Sequence, residues 1–134
     1  MEHGSKFEQT KMISRNEVEQ FAQASGDLNP IHRDDLAAQA AGFPRAIAHG
    51  MLIGAWISKT LGVEFPGAGT IYLHQSLDFK EPVLVDSSVT LKLEVLSTKP
   101  EKGIIEISTI AISSETQRVL ATGKAVVKNK RVFS

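Results

Sequence analysis

From Thr70 to Lys128 the apolar residues fall on alternate positions, and this alternation limits the folds open to the chain more than any other feature. Side chains of a strand point to opposite faces with a period of two, so such a run reads as half-buried strands. The segment "IYLHQSLDF" places Ile71, Leu73, Leu77 and Phe79 on one face, and "SVTLKLEVL" does the same with Val89, Leu91, Leu93 and Val95. "GIIEISTIAIS" and "RVLATGKAVVK" are further strands, and residues 7 to 12 form a short first one. Turn-formers fall at Glu81-Pro82, at Pro100 to Gly103 and at Ser113 to Gln117. Strands joined this way make an antiparallel sheet with one apolar face, and that face needs a cover.

The first half of the chain supplies the cover. Ser14 and Glu17 form a capping box ahead of "SRNEVEQFAQASG", and Gly26 stands where a helix-ending glycine belongs. Val18, Phe21 and Ala22 give this helix one apolar side. Asp34 caps a second short helix, "DDLAAQAAG", which stops at Gly42 and before Pro44. A third helix runs from Gly50 to Leu61 and ends at Gly62. Met51, Leu52, Ile53, Ala55, Trp56, Ile57 and Leu61 surround it almost completely, so it should be buried. Helices followed by strands predict an α+β architecture in a single domain spanning 1–134. The expected object is an antiparallel sheet wrapped around a central buried helix, with short helices overhanging it.

Composition removes several classes of function. Lys plus Arg equals Asp plus Glu at 15 each in 134 residues, so nothing in the charge balance argues for nucleic acid or an anionic membrane. With no cysteine, disulfides, thiolate catalysis and cysteine-based metal sites are excluded. The N-terminus "MEHGSKFEQTK" has no apolar core of a secretory signal, and "AIAHGMLIGAWIS" is too short to span a bilayer. A cytoplasmic protein is expected.

The loop "SGDLNPIHRDD" holds more chemistry than a connector needs. Gly26, Asp27, Asn29 and Pro30 are turn-formers, but a carboxylate and an imidazole at a fixed offset are not required for turning. A calcium loop fails here: Ile31 stands at the fifth position, His32 where glycine is required, and Ala38 where a glutamate should close the loop. The four histidines (3, 32, 49 and 74) show no paired helical spacing, so no metal site is expected. One reading leaves Asp27 as a turn cap and His32 as a half-exposed loop residue. The other turns both toward one water as an acid–base pair, with Asn29 orienting either partner. The string "AHGM" adds Gly50 at the mouth of the third helix. Glycine there allows tight packing, or lets a carbonyl approach free N–H groups at the positive end of the helix dipole.

The stretch "FAQASGDLNPIHRDDLAAQAAGF" resembles the hydratase 2 signature of the MaoC-like, (R)-specific enoyl-CoA hydratases. The likeness continues through "AHGMLIGAWISKTLG" and "GAGTIYLHQSLDFKEPVLVDSSV", and so covers about Ser14 to Lys128. This resemblance implies the hot-dog fold. It implies reversible syn hydration of a short- to medium-chain trans-2-enoyl-CoA to an (R)-3-hydroxyacyl-CoA. By the same resemblance Asp27 and His32 are the catalytic pair and Asn29 supports them. Gly50 offers its backbone N–H to the thioester oxygen, and Ser58 stands near the carboxylate. It further implies a homodimer joined at the sheet edges, and no cofactor beyond the CoA of the substrate. Lys80, Lys59 and Lys128 are candidates for the CoA phosphates. Trp56 either lines the acyl tunnel or packs against the sheet. Dehydration of a (3R)-hydroxyacyl group on acyl carrier protein remains open, because both carriers present the same pantetheine arm. So does a non-catalytic module that binds acyl thioesters. Hydrolysis of the thioester is disfavoured, since residues 50 to 62 contain no Asp or Glu.

Overall fold

The computed structural model describes residues 1–134. The elements in chain order are β1 (Lys6–Ile13), α1 (Arg15–Ser25), α2 (Asp35–Ala40), α3 (Gly50–Val63), β2 (Ile71–Phe79), β3 (Ser87–Lys99), β4 (Ile104–Ser113) and β5 (Val119–Lys128). A 3₁₀ turn, Pro30–His32, lies between α1 and α2, and another, Arg131–Phe133, closes the chain. The strands form one antiparallel sheet in the order β1-β3-β4-β5-β2.

Ser14, Gly26 and Asp34 cap their helices as the sequence requires, but the capping box is half formed, because Glu17 Oε1 accepts from Lys11 Nζ at 2.5 Å and not from the Ser14 N–H. Ser14 Oγ accepts from the Glu17 N–H at 3.1 Å, and Gly26 ends α1 in the left-handed region at φ 81°. Asp34 caps α2 through the Leu36 N–H at 3.0 Å. The core lies between α3 and one face of the sheet. Ile53, Ile57 and Leu61 bury there with Leu91, Leu93, Ile105 and Ile107. This is the hot-dog arrangement: a long helix held by an antiparallel sheet.

Three expectations need correction. First, α3 is not buried all round. Leu52, Ile53, Trp56, Ile57 and Leu61 are buried, but Met51 is 56% exposed, and Ala55 and Ser58 also face outward. Second, Gly62 does not stop α3, which continues to Val63; the chain reverses over the following residues, where Gly67 and Gly69 adopt φ of 103° and 93°. Third, the apolar face of β2 is not the one that strict alternation gives. The register slips between Tyr72 and His74, leaving Leu73 as the extra residue of a bulge. Tyr72 therefore pairs with the inward Val127, and Gln75, Leu77 and Phe79 share its side, while Ile71 opposes Lys128 on the other side. β2 is also an edge strand, bonded only to β5, so Ile71, Leu73 and Phe79 stay 51–57% exposed.

Trp56 packs against the sheet. Its indole N–H donates to Gln9 Oε1 at 2.8 Å, and Lys11 Nζ sits 5.3 Å from its ring. Both partners belong to β1, which places the indole away from the cavity described below.

Asn129 fixes the reversal after α3. Its amide donates to Thr70 Oγ1 at 3.0 Å and to the Ala68 carbonyl at 3.1 Å, and its oxygen accepts from the Arg131 N–H at 3.0 Å. The side chain is 1% exposed, so removing it strands buried groups that water cannot reach. Asn129→Ala should lower unfolding stability by about 2 kcal/mol in a urea titration, with an unchanged slope.

Candidate active site

The loop between α1 and α2 is built by its own short polar residues. The Asp27 N–H donates to Ser25 Oγ at 3.1 Å, the Asn29 N–H to Asp27 Oδ1 at 3.2 Å, and the Ile31 N–H to Asn29 Oδ1 at 3.2 Å. Asn29 thus braces the carboxylate on one side and caps the Pro30–His32 turn on the other. Its support runs through the backbone and does not involve its amide touching His32.

That turn aims His32 inward. Its Nδ1 lies 2.7 Å from the Ile47 carbonyl oxygen, which can only accept, so Nδ1 carries the proton. Nε2 is left to face Asp27 Oδ2 at 3.7 Å. The gap exceeds a direct hydrogen bond, and both groups border the same cavity, of about 580 Å³. Asp27 is half-exposed, whereas the His32 side chain is only 12% exposed. A water reaching both atoms would meet one oxygen acceptor and one nitrogen that can take or return a proton.

Gly50 borders that cavity as the first residue of α3, where the N–H has no partner within the helix. A Cβ at this position would meet the Phe79 ring at 2.9–3.1 Å, so the ring of β2 closes over the bare backbone. The cavity thus presents a carboxylate, an imidazole and a helix N-terminus to one space.

Neighbouring residues hold the frame. Asp35 Oδ1 accepts from the Ala46 N–H at 2.9 Å and from Arg15 at 3.0 Å, tying α2 to the segment that enters α3. These bonds, the backbone one first, hold the Asp35 carboxyl below its ordinary value of 3.8. At the rim, Arg118 Nε donates to Glu81 Oε1 at 2.7 Å and likewise lowers the Glu81 carboxyl.

The remaining predicted residues divide. Ser58 does not border the cavity that Asp27 borders. It lies two turns along α3 from Gly50, about 12 Å at 1.5 Å per residue, and lines a second groove with Phe21, Met51 and Tyr72. Burial pushes the Tyr72 hydroxyl up to about 12. Of the three lysines, only Lys80 borders the main cavity; Lys59 is paired with Glu64 at 3.2 Å, and Lys128 lies on β5 opposite Ile71 and Ile104.

Sequence reasoning missed His49. It is 3% exposed, its Nε2 lies 3.0 Å from the Asp27 carbonyl oxygen, and its ring stacks on His32 with centroids 3.8 Å apart. A histidine inside the apolar string "AIAHGMLIGAW" was the available signal. Asp27, His32 and His49 bring possible ligand atoms within 4.8 Å of one another. Each ring spends one nitrogen on a main-chain carbonyl, which fixes its tautomer.

Residues 1–117 match the family described as the MaoC like domain. The (R)-specific enoyl-CoA hydratase of Aeromonas caviae is 41% identical over 128 residues, which are 96% of this chain and 95% of that protein. The (R)-specific enoyl-CoA hydratase of Rhodospirillum rubrum is 37% identical over 127 residues, 95% of this chain and 87% of that protein. Among solved structures, the (R)-hydratase from A. caviae involved in PHA biosynthesis superposes with a TM-score of 0.91 at 40% identity, covering 96% of this chain and 97% of the other.

Proposed function

This chain belongs to the family of MaoC-like domains, and from that premise we propose that it is an (R)-specific enoyl-CoA hydratase acting on short- to medium-chain substrates. The enzyme class is that of a hydro-lyase, reversibly adding water to a trans-2-enoyl-CoA to give an (R)-3-hydroxyacyl-CoA. The observation that carries the reading is the Asp27 carboxylate facing His32 Nε2 at 3.7 Å in the cavity that Gly50 also borders.

The chemistry follows from the placement. The thioester oxygen accepts from the Gly50 N–H, where the helix dipole favours the negative charge that develops on it. A water held between Asp27 and His32 bonds through its oxygen to C3 of the enoyl group. The C2=C3 π electrons move toward the thioester, forming an enolate whose oxygen stays at Gly50. One proton leaves the water for the pair, and one is delivered to C2, so atoms and charge balance. Because both groups stand on one side of the substrate, hydroxyl and hydrogen add to the same face. The Nδ1–H···O=C bond to Ile47 keeps His32 Nε2 as the proton-accepting nitrogen throughout. Dehydration is the same path in reverse. Lys80 at the rim is the cation suited to a phosphate of CoA.

The chain acts, in this reading, as one domain in the cytoplasm and as a homodimer. The edge strand β2 leaves one side unpaired and exposes Ile71, Leu73 and Phe79, a combination that invites a second sheet edge. Sedimentation should give twice the 14.5 kDa of one chain. The function itself is tested by adding the protein to crotonyl-CoA. Enoyl absorbance should fall to an equilibrium value, and no free thiol should appear.

A further inference from the structure

The cavity contains one buried polar side chain that the mechanism above leaves unused, His49. Three contacts and its place in the chain define it. Its Nε2 reaches the Asp27 main-chain oxygen at 3.0 Å. Its ring stacks on His32 at 3.8 Å between centroids, with planes 26° apart. Phe21 of α1 meets it edge-on, at 4.9 Å and 60°. Its own backbone directly precedes Gly50, as the N-cap of α3. One ring therefore touches both halves of the acid–base pair and is covalently joined to the residue that receives the thioester oxygen.

The nitrogens show that this is more than space-filling. A carbonyl oxygen only accepts, so Nε2 must carry the proton. Nδ1 is then the bare nitrogen, and it is buried with no hydrogen-bond partner. An orphaned buried nitrogen is destabilising, and a phenyl ring would fill the same apolar space without it. What phenyl cannot do is donate to Asp27. The N-cap position points the same way: His49 makes no side-chain bond to the first turn of α3, and its ring turns instead toward the catalytic loop.

We propose that His49 is a positioning residue for the hydration, holding the Asp27 main chain and the His32 ring at a fixed distance from the Gly50 N–H. The inference rests on the hydratase reading. Beyond its short local bonds, the loop reaches the segment ahead of α3 at its far end, where the Ile47 N–H donates to the Ile31 carbonyl at 3.1 Å and His32 Nδ1 meets the Ile47 carbonyl at 2.7 Å. The His49 bond ties the Asp27 end of the loop to the N-cap of α3. Without it the pair and the oxyanion donor drift apart, and a displacement of about 1 Å at a reacting centre lowers turnover on the order of 100-fold.

Three variants separate the roles of ring and donor. His49→Phe keeps a stacking ring and loses the N–H. His49→Gln places an amide N–H near the position of Nε2 and loses the ring. His49→Leu loses both. With crotonyl-CoA, His49→Phe should lower kcat about 10- to 100-fold while KM changes about two-fold or less, since substrate binding groups are untouched. His49→Gln should recover most of that loss, and His49→Leu should be the poorest. A phenylalanine variant with wild-type kcat overturns the proposal, as does a glutamine variant no better than phenylalanine. The unaltered protein gives an independent reading that does not depend on how the variants fold. Long-range ¹H–¹⁵N correlation should show His49 as the Nε2–H tautomer, and an Nδ1–H tautomer would overturn the assignment. If the wild-type chain leaves crotonyl-CoA untouched, the hydratase reading falls and the inference with it. If it hydrates crotonyl-CoA and His49→Phe does so equally well, only the inference falls.

Discussion

Asp27→Asn should lower kcat for crotonyl-CoA by about 1,000-fold, within the range expected when one member of an acid–base pair is lost. The substitution keeps the shape of the side chain and the oxygen that accepts from the Asn29 N–H at 3.2 Å. It removes the negative charge and the acceptor that face His32 at 3.7 Å. Because Asp27 is half-exposed and its loop is braced by neighbours, the melting temperature should barely move. His32→Ala should produce a loss of similar size, since it removes the nitrogen on the other side of the water. The double variant should be little worse than either single one, because two groups that handle one water act as a unit. Equal kcat in wild type and Asp27→Asn would mean that the water is activated elsewhere.

The largest effect on stability should come from Gly123→Ala. Gly123 lies on β5 opposite Leu77 of the edge strand β2. A Cβ there would sit 1.8 Å from the Ser76 carbonyl oxygen and 2.7 Å from its carbon. Those are backbone atoms of a paired strand, and no rotamer change relieves the overlap. Either β2 separates from β5 or both strands bend. The expected loss is about 3 kcal/mol or more, the upper end for overpacking, read as a fall of about 10 °C in melting temperature. Activity should fall as well, because β2 carries the Phe79 ring that lies against Gly50. If Gly123→Ala melts with the wild type, the close approach of the two strands is not as described.

The sequence was most informative where the physics is local. Ser14, Gly26 and Asp34 each act within a few residues of themselves, so their caps could be read directly. The alternation of β3 survives intact because both its neighbours are strands of the same sheet and its inner face meets the core. β2 was read wrongly for a reason that no pattern shows: a single bulge at Leu73 reverses the faces, and the strand order leaves it at the edge. The same limit applies to the site. Asp27, Asn29 and His32 are within six residues of one another, and their proximity was legible as a unit. His49 comes to them only through the fold, by way of a carbonyl 22 residues away in sequence. Ser58, which the resemblance places near the carboxylate, lines a neighbouring groove that shares Phe21 and Met51 with the Asp27 cavity.

The stereochemistry of the product tests the central claim most directly. Asp27, His32 and Gly50 border a single cavity, and the proposed mechanism brings the water to the enoyl group from the Asp27–His32 pair alone, hence to one face. Crotonyl-CoA incubated with the protein, hydrolysed and resolved on a chiral column should give the (R)-3-hydroxy acid almost alone. An (S)-product, a racemate, or free CoA without hydration would contradict the account.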